Sequence, residues 1–231
     1  MYNFSSIGYI KSNFVEKFGI PRQSGLSPSS KAAIVLENTG FNREATQDLE
    51  GNSHIWVIFV FDKLKKIPDK AKIRPPRLGG NKYVGVYSSR SPYRPNPIGL
   101  SLVQLEGISC AKDSINVHIG NHDLLDGTPV IDIKPYSEFD TPENPRYSWQ
   151  SQPWENLEVT FSEDCLMLLK DKEDFKKQII EVLANDPRPA YTKKQARVEP
   201  YGIRLGNYNI KFTIDEHYCC VLSITKLNKL D

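Results

Sequence analysis

The chain has 231 residues, 39% of them hydrophobic and 25% charged, with a formal net charge of +2. This fits a globular protein of one large or two smaller domains and excludes a disordered chain. A balance this near neutrality leaves any nucleic-acid surface to local clusters of basic residues. No apolar run reaches the about 18 residues that a spanning helix needs, and no basic-then-apolar leader is visible. The four cysteines (Cys110, Cys165, Cys219 and Cys220) lack C-x-x-C spacing and read as small apolar side chains in a reducing, cytoplasmic compartment. His118 and His122 lie on a strand running into a turn, where their spacing does not bring two imidazoles together, so no metal site is expected.

In chain order, Phe4–Ile10 alternates small and apolar side chains as a strand does. Pro21, Gly25 and Pro28 then break regular structure. Arg22 and Gln23 bring donors into a segment bounded by Phe14, Phe18 and Ile20, which reads as a ligand loop or an ordinary surface turn. A short strand over Ala33–Leu36 precedes a helix over Arg43–Leu49, stopped by Gly51. Residues from His54 to Phe61 are apolar at nearly every position, which predicts a strand buried on both faces and ending at the polar pair Asp62 and Lys63. Within the stretch Arg74–Gly99, Val84–Tyr87 reads as a strand. Leu100–Leu105, Ile115–Ile119 and Val130–Ile133 then alternate between turn signals such as Gly120-Asn121 and Asp126-Gly127. Short strands about a dozen residues apart, with almost no helix, predict a β-barrel or sandwich. The absence of G-x-G-x-x-G after a strand and of βαβ alternation argues against a Rossmann-type site.

The composition changes at Ser137–Pro153, which is rich in Pro, Ser, Asn and acids and reads as a linker. A strand over Leu157–Phe161 leads to Ser162 as an N-cap. Apolar residues at Leu166, Leu169, Ile179, Ile180 and Leu183 predict helix, broken in two near Asp171–Glu173. DPRPAY, from Asp186 to Tyr191, is followed by Lys193, Lys194 and Arg197 and forms a proline-braced basic element. Asn207–Ile214 and His217–Ile224 form a hairpin around Asp215-Glu216, so this part is a small α+β module.

The stretch from Arg74 to Gly99 holds five basic residues (Arg74, Arg77, Lys82, Arg90 and Arg94), five prolines, four glycines and no acid. Prolines hold such a chain stiff, and glycines let backbone amides approach a bulky group, which suits an anionic or nucleotide-like ligand. A solvated connector is the competing reading. No Ser/His/Asp ordering, nucleophile elbow or P-loop is present. Asp126 and Asp132 are candidate carboxylates, although Asp126 before Gly127 also suits a turn. Tyr136 and Tyr191 could stack on a base or donate a hydrogen bond.

Six ordered motifs carry a resemblance: KFGIPRQSG (Lys17–Gly25), SHIWVIFVF (Ser53–Phe61), RPPRLGGN (Arg74–Asn81), SRSPYRPNPIGLS (Ser89–Ser101), DLLDGTPVIDIKPY (Asp123–Tyr136) and DPRPAY. Together they resemble the TsaA-like family and, within it, the TrmO tRNA methyltransferases. The resemblance implies a mainly β fold. An N-terminal TsaA-like β-barrel over residues 1–140 would bind S-adenosylmethionine without a Rossmann sheet, followed by a linker over 141–155 and an α+β C-terminal module over 156–231. It implies a homodimer that methylates N6 of threonylcarbamoyladenosine at position 37, next to the anticodon (t6A to m6t6A). The cofactor positions it implies are Gln23, Ser24, Gly25, Asp62, Lys63, Arg90, Leu100, Thr128, Pro129, Val130 and Ile131. Carbamoylation makes N6 a poorer nucleophile and a stronger acid, so a nearby acceptor is useful, with Asp126, Asp132 and Tyr136 as candidates. Arg74, Arg77, Arg94, Arg188, Tyr191, Lys193 and Lys194 are the residues expected to meet the tRNA anticodon stem-loop. A non-catalytic RNA- or nucleotide-binding module, and a methyltransferase acting on another RNA or a small amine, remain the alternatives.

Overall fold

The computed structural model describes residues 2–64, 70–149, 155–189 and 199–228. Strict alternation shapes the first half: each strand gains one buried face, and six strands close on one another to share it. In chain order the strands are Gly8–Ser12 (β1), Lys31–Glu37 (β2), His54–Val60 (β3), Lys72–Ile73 (β4), Val84–Gly85 (β5), Ile98–Cys110 (β6), Ser114–Gly120 (β7) and Pro129–Pro135 (β8). The order β1-β2-β7-β6-β3-β8 forms a closed barrel in which every neighbouring pair is antiparallel. Closure leaves no free edge for another chain to pair with. β4 and β5 pair only with each other. Ile10, Ile34, Ile55, Val57, Ile115, Val117, Ile119 and Val130 fill the interior, each with no exposed surface. Burying such a side chain fully contributes about 1.5–3 kcal/mol.

β3 corrects the expectation of a strand buried on both faces. Ile55, Val57 and Phe59 are buried, whereas Trp56, Ile58 and Val60 are only half-buried on the outer wall. A closed barrel has a single dry face, and apolar residues on its outside are covered only where another segment crosses them. Trp56 is covered in this way: its Nε1 donates to Asp140 Oδ2 at 3.1 Å, and Tyr136 packs 6.2 Å away. Asp140 lies in a 3-10 turn, Glu138–Asp140, that folds the start of the linker back onto the barrel. The helix predicted over Arg43–Leu49 forms earlier, as Gly40–Ala45 (α1), because Thr39 accepts the Asn42 N–H as N-cap. The strand predicted over Val84–Tyr87 is cut short by a 3-10 turn at Val86–Ser88.

At Gly99 in β6 a Cβ would stand 2.2 Å from Phe59 Cζ, and that ring is itself held in the core. Gly99→Ala therefore has to displace a buried aromatic ring at the start of the strand. The expected result is a loss of about 1–3 kcal/mol in denaturant unfolding; an unchanged midpoint would show that the ring is free to move.

The second half has its own sheet, made of Glu158–Phe161 (β9), Tyr201–Leu205 (β10), Tyr208–Asp215 (β11) and Tyr218–Lys226 (β12), in the order β10-β11-β12-β9. β9 runs parallel to β12, which needs a crossover. The helices Glu163–Leu169 (α2) and Glu173–Ala184 (α3) follow β9 and pack on the sheet. Ser162 caps α2 by accepting the Cys165 N–H at 3.4 Å, and the break between the helices falls where it was expected. The hairpin around Asp215-Glu216 also forms as expected. β10 was not foreseen, since YGIRL offers only five residues with a glycine among them. Phe14 from the β1–β2 connection joins this second core, with Phe18 and Ile20 packed beside it.

Candidate active site

Strand register brings the expected cofactor residues to one end of the barrel. β1 ends where Ser12 faces Ala32, β2 begins where Lys31 faces Gly120 of β7, and β3 ends where Val60 faces Ile98 of β6. Three long connections therefore open at the same mouth: residues 13–30, 61–97 and 121–128. The first carries Gln23, Ser24 and Gly25; the second carries Asp62, Lys63 and Arg90; the third carries Thr128 and leads into Pro129, Val130 and Ile131 of β8.

Asp123 ties the three together, and sequence reasoning did not single it out. Ser101 Oγ, buried at the start of β6, donates to Asp123 Oδ1 at 2.6 Å. The Ser24 backbone N–H and the Arg90 guanidinium both lie near enough to the Asp123 carboxylate to favour its charge. Burial pushes the Asp123 carboxyl above its ordinary range, while Ser101, Arg90 and Ser24 pull it down. An acid withdrawn from water next to a loop rich in guanidinium groups was the available signal; only the fold shows that Ser24 and Arg90 reach the same carboxyl.

The neighbouring backbone is arranged to admit a ligand. Gly25 (φ 92°) and Gly127 (φ 74°) both have left-handed backbone, and nothing lies within 4 Å of where a Cβ would stand. Gly25 N donates to Asn121 O at 3.4 Å, and Asn121 Oδ1 is a buried acceptor without a hydrogen bond. Open space above two glycines, an exposed guanidinium and an unused acceptor suit a ligand that carries a carboxylate, an ammonium group and a purine. S-adenosylmethionine has all three.

The remaining expected residues divide by position. Asp126 is exposed at the mouth, where its Oδ1 accepts the Ser12 N–H at 2.9 Å. Asp62 and Lys63 form an ion pair at 3.0 Å. Leu100 and Asp132 flank Ile58 on the outer wall, and Asp132 pairs there with Lys134 at 3.0 Å. A bulge at Ile131 sets this register. Tyr136 is not gathered with the others: β8 runs away from the mouth, and the Tyr136 N–H donates to His54 O at the far end while its hydroxyl meets Thr141.

Among the expected RNA contacts, Arg74 is exposed, with its guanidinium over the Tyr83 ring 4.5 Å from the centroid. Arg94 folds back, donating to Ser89 O at 3.2 Å. Arg188 departs from expectation. It is 9% exposed, and its guanidinium is held by both oxygens of Asp186 at 2.9 and 3.2 Å, so DPRP uses its own acid to neutralise its arginine. The Arg77 side chain, Tyr191, Lys193, Lys194 and Arg197 lie outside the described residues. No cluster able to hold a metal ion occurs among the described residues, and none of their helices is long and apolar enough to cross a membrane.

Comparison with known proteins supplies the remaining observation. The family model for the tRNA-methyltransferase O N-terminal domain matches residues 9–141, and that for the TrmO C-terminal domain matches residues 154–227. The chain is 40% identical over 221 residues to the tRNA (adenine(37)-N6)-methyltransferase of Escherichia coli K12, covering 93% of this chain and 94% of that protein. The chain belongs to the tRNA-methyltransferase O family. A Pyrococcus abyssi relative named "Probable S-adenosyl-L-methionine-binding protein" is 36% identical over 159 residues, covering 68% of this chain and 81% of that one. The crystal structure of TrmO from Pseudomonas aeruginosa superposes with a TM-score of 0.76 at 30% identity, covering 98% and 97% of the two chains. The first family model ends at residue 141, just past the Glu138–Asp140 turn, and the second begins at residue 154, shortly before β9.

Proposed function

We propose that this chain transfers the methyl group of S-adenosylmethionine to N6 of threonylcarbamoyladenosine at position 37 of tRNA, acting in the cytoplasm as a homodimer. The convergence of Ser24, Ser101 and Arg90 on Asp123 at one barrel mouth carries the reading. It explains why residues from three distant loops form a single site, and membership of the tRNA-methyltransferase O family supplies the reaction class.

When bound, the cofactor supplies a sulfonium methyl that is already a strong electrophile, which leaves alignment and water exclusion to the protein. Gln23, Ser24 and Gly25, with Thr128, Pro129, Val130 and Ile131, form the backbone cradle. Asp62 and Lys63 lie on the second loop of the mouth. Arg90 offers a fork for a carboxylate, and Leu100 an apolar contact. Asp126 is the residue we assign to accept the proton that leaves N6; its exposure and the Ser12 N–H held by one of its oxygens support this. Asp132 is the weaker candidate because Lys134 already neutralises it. Arg74, Arg77 and Arg94, with Tyr191, Lys193 and Lys194, are the residues we assign to the anticodon stem-loop.

Nucleoside mass spectrometry of tRNA from cells with and without this gene tests the reading directly. The methylated threonylcarbamoyl nucleoside is expected to vanish with the gene and to return with the wild-type chain. Asp126→Ala is expected to restore no more than about one hundredth of the turnover, the range typical of a lost general base. If the nucleoside persists without the gene, the assigned reaction is wrong. If Asp126→Ala works at full rate, the base lies elsewhere.

A further inference from the structure

The β1–β2 connection is held by the C-terminal module on both of its limbs. On the ascending limb, Gly206 N donates to Asn13 O at 2.7 Å, and Glu16 Oε1 accepts the Arg204 N–H at 2.7 Å. On the descending limb a single carboxylate oxygen of α3 gathers three donors: Glu181 Oε2 accepts from Ser27 Oγ at 3.1 Å, Ser29 N at 2.9 Å and Ser29 Oγ at 2.5 Å. One turn further on, Asn185 Nδ2 donates to Leu26 O at 3.2 Å. Between these anchors lies the tip, Gln23–Gly25, whose Gly25 N donates to Asn121 O at 3.4 Å and whose Ser24 N–H lies near the Asp123 carboxylate.

We propose that Glu181 is a positioning residue for the cofactor loop, so that α3 of the C-terminal module holds one wall of a site whose other walls belong to the barrel. The physical reason is entropic. A loop of this length, left free, samples many conformations, and ordering it on ligand binding costs about 1–2 kcal/mol per residue fixed. A charged acceptor that takes three donors orders the segment beforehand and removes that cost from binding. Glu181 lies outside the cradle itself, so its effect appears in affinity and not in the chemical step. The inference rests on the reading of Gln23–Gly25 as cofactor-binding.

The test is calorimetric titration of S-adenosylmethionine into the full-length wild-type chain, Glu181→Ala, Glu181→Gln and the double variant Ser27→Ala/Ser29→Ala. Melting curves and turnover at saturating cofactor accompany each titration. Glu181→Ala is expected to raise Kd about tenfold and KM for the cofactor in parallel, with kcat within about twofold of wild type. Glu181→Gln keeps an acceptor and should recover part of the loss. The double variant removes two donors from the loop side without touching α3, so it carries the test if Glu181→Ala fails to fold. Folded variants that bind S-adenosylmethionine as tightly as wild type, or that lose kcat and leave KM unchanged, overturn the proposal. A wild-type chain that binds no S-adenosylmethionine overturns the underlying reading of the site instead, and the inference falls with it.

Discussion

Asp123→Ala is expected to weaken S-adenosylmethionine binding by about 100-fold, equivalent to about 2.7 kcal/mol, and to lower kcat/KM correspondingly. The carboxyl accepts from Ser101 Oγ at 2.6 Å, and the Ser24 N–H and Arg90 both favour its charge. Its loss leaves the buried Ser101 hydroxyl without its acceptor, at a cost of about 1–3 kcal/mol, and removes the charge near the Ser24 N–H. Arg90 would at the same time lose a nearby negative charge. Asp123→Asn separates these contributions: it can still accept from Ser101, whereas Arg90 goes unopposed. Calorimetry on folded variants decides. An Asp123→Ala chain with a Kd within twofold of wild type would show that the loops are held together by other means. The carboxyl is pushed above its usual range by burial, so its charge opposes burial while favouring Arg90. Asp123→Asn should therefore cost less in folding stability than in binding.

Acid is expected to destabilise the fold through His122, by about 3 kcal/mol between roughly pH 6.5 and pH 4. The ring is 1% exposed, lies 5.0 Å from the Phe14 ring, and uses Nδ1 to accept the Leu124 N–H at 3.2 Å. Burial lowers its pKa from 6.5 to about 4, against a smaller upward pull from the Lys31 backbone. The unfolded chain thus binds a proton that the folded chain refuses. Stability is complete above the unfolded value and falls as pH drops toward the folded one. His122→Asn keeps a short acceptor but cannot titrate. Its denaturation midpoints should be lower at neutral pH and fall less steeply between pH 7 and pH 4.5. Parallel curves for the two proteins would assign the acid sensitivity to carboxylates elsewhere. His122 lies on the third mouth loop against Phe14, which belongs to the second core, so its protonation strikes where barrel and module meet.

Much of the barrel was legible because its strands obey period two. Ile115–Ile119 alternates clearly, and its apolar positions form the buried face of β7; Val130–Ile133 also lies inside an observed strand, but only Val130 is buried there, because the bulge at Ile131 interrupts the alternation. Where the pattern was saturated the inference failed. β3 is apolar on both faces, and from sequence this cannot be told from a strand in the middle of a layered sheet. Partners across 84 residues, such as Asp140 for Trp56, explain the outer apolar side chain, and they are invisible locally. The tendency of Arg74–Gly99 to hold an anion was also legible, since one sign of charge had been excluded. Yet that stretch is not uniform: Arg90 approaches Asp123, Arg94 turns back on its own loop, and Arg74 stacks on Tyr83. DPRP looked like a free basic element, whereas Asp186, two residues before Arg188, closes an ion pair with it.

The sequence by itself determined the class of the molecule: a mainly β chain, a helix-containing module after a proline-rich join, and motifs that mark the tRNA-methyltransferase O family. These follow from local rules of periodicity, capping and turn chemistry, which act over a few residues. Only the tertiary structure decided which residues meet. Antiparallel closure through β1 and β8 sends three loops to one mouth, and register places Ser101 beneath Asp123 and Leu100 beside Ile58. The packing of the β1–β2 connection against α3 makes two separately folded cores share the wall of one site. Ser29 and Glu181 lie 152 residues apart along the chain, and Ser101 and Asp123 lie 22 apart; the energies of such pairings depend on burial and orientation, which no local pattern records.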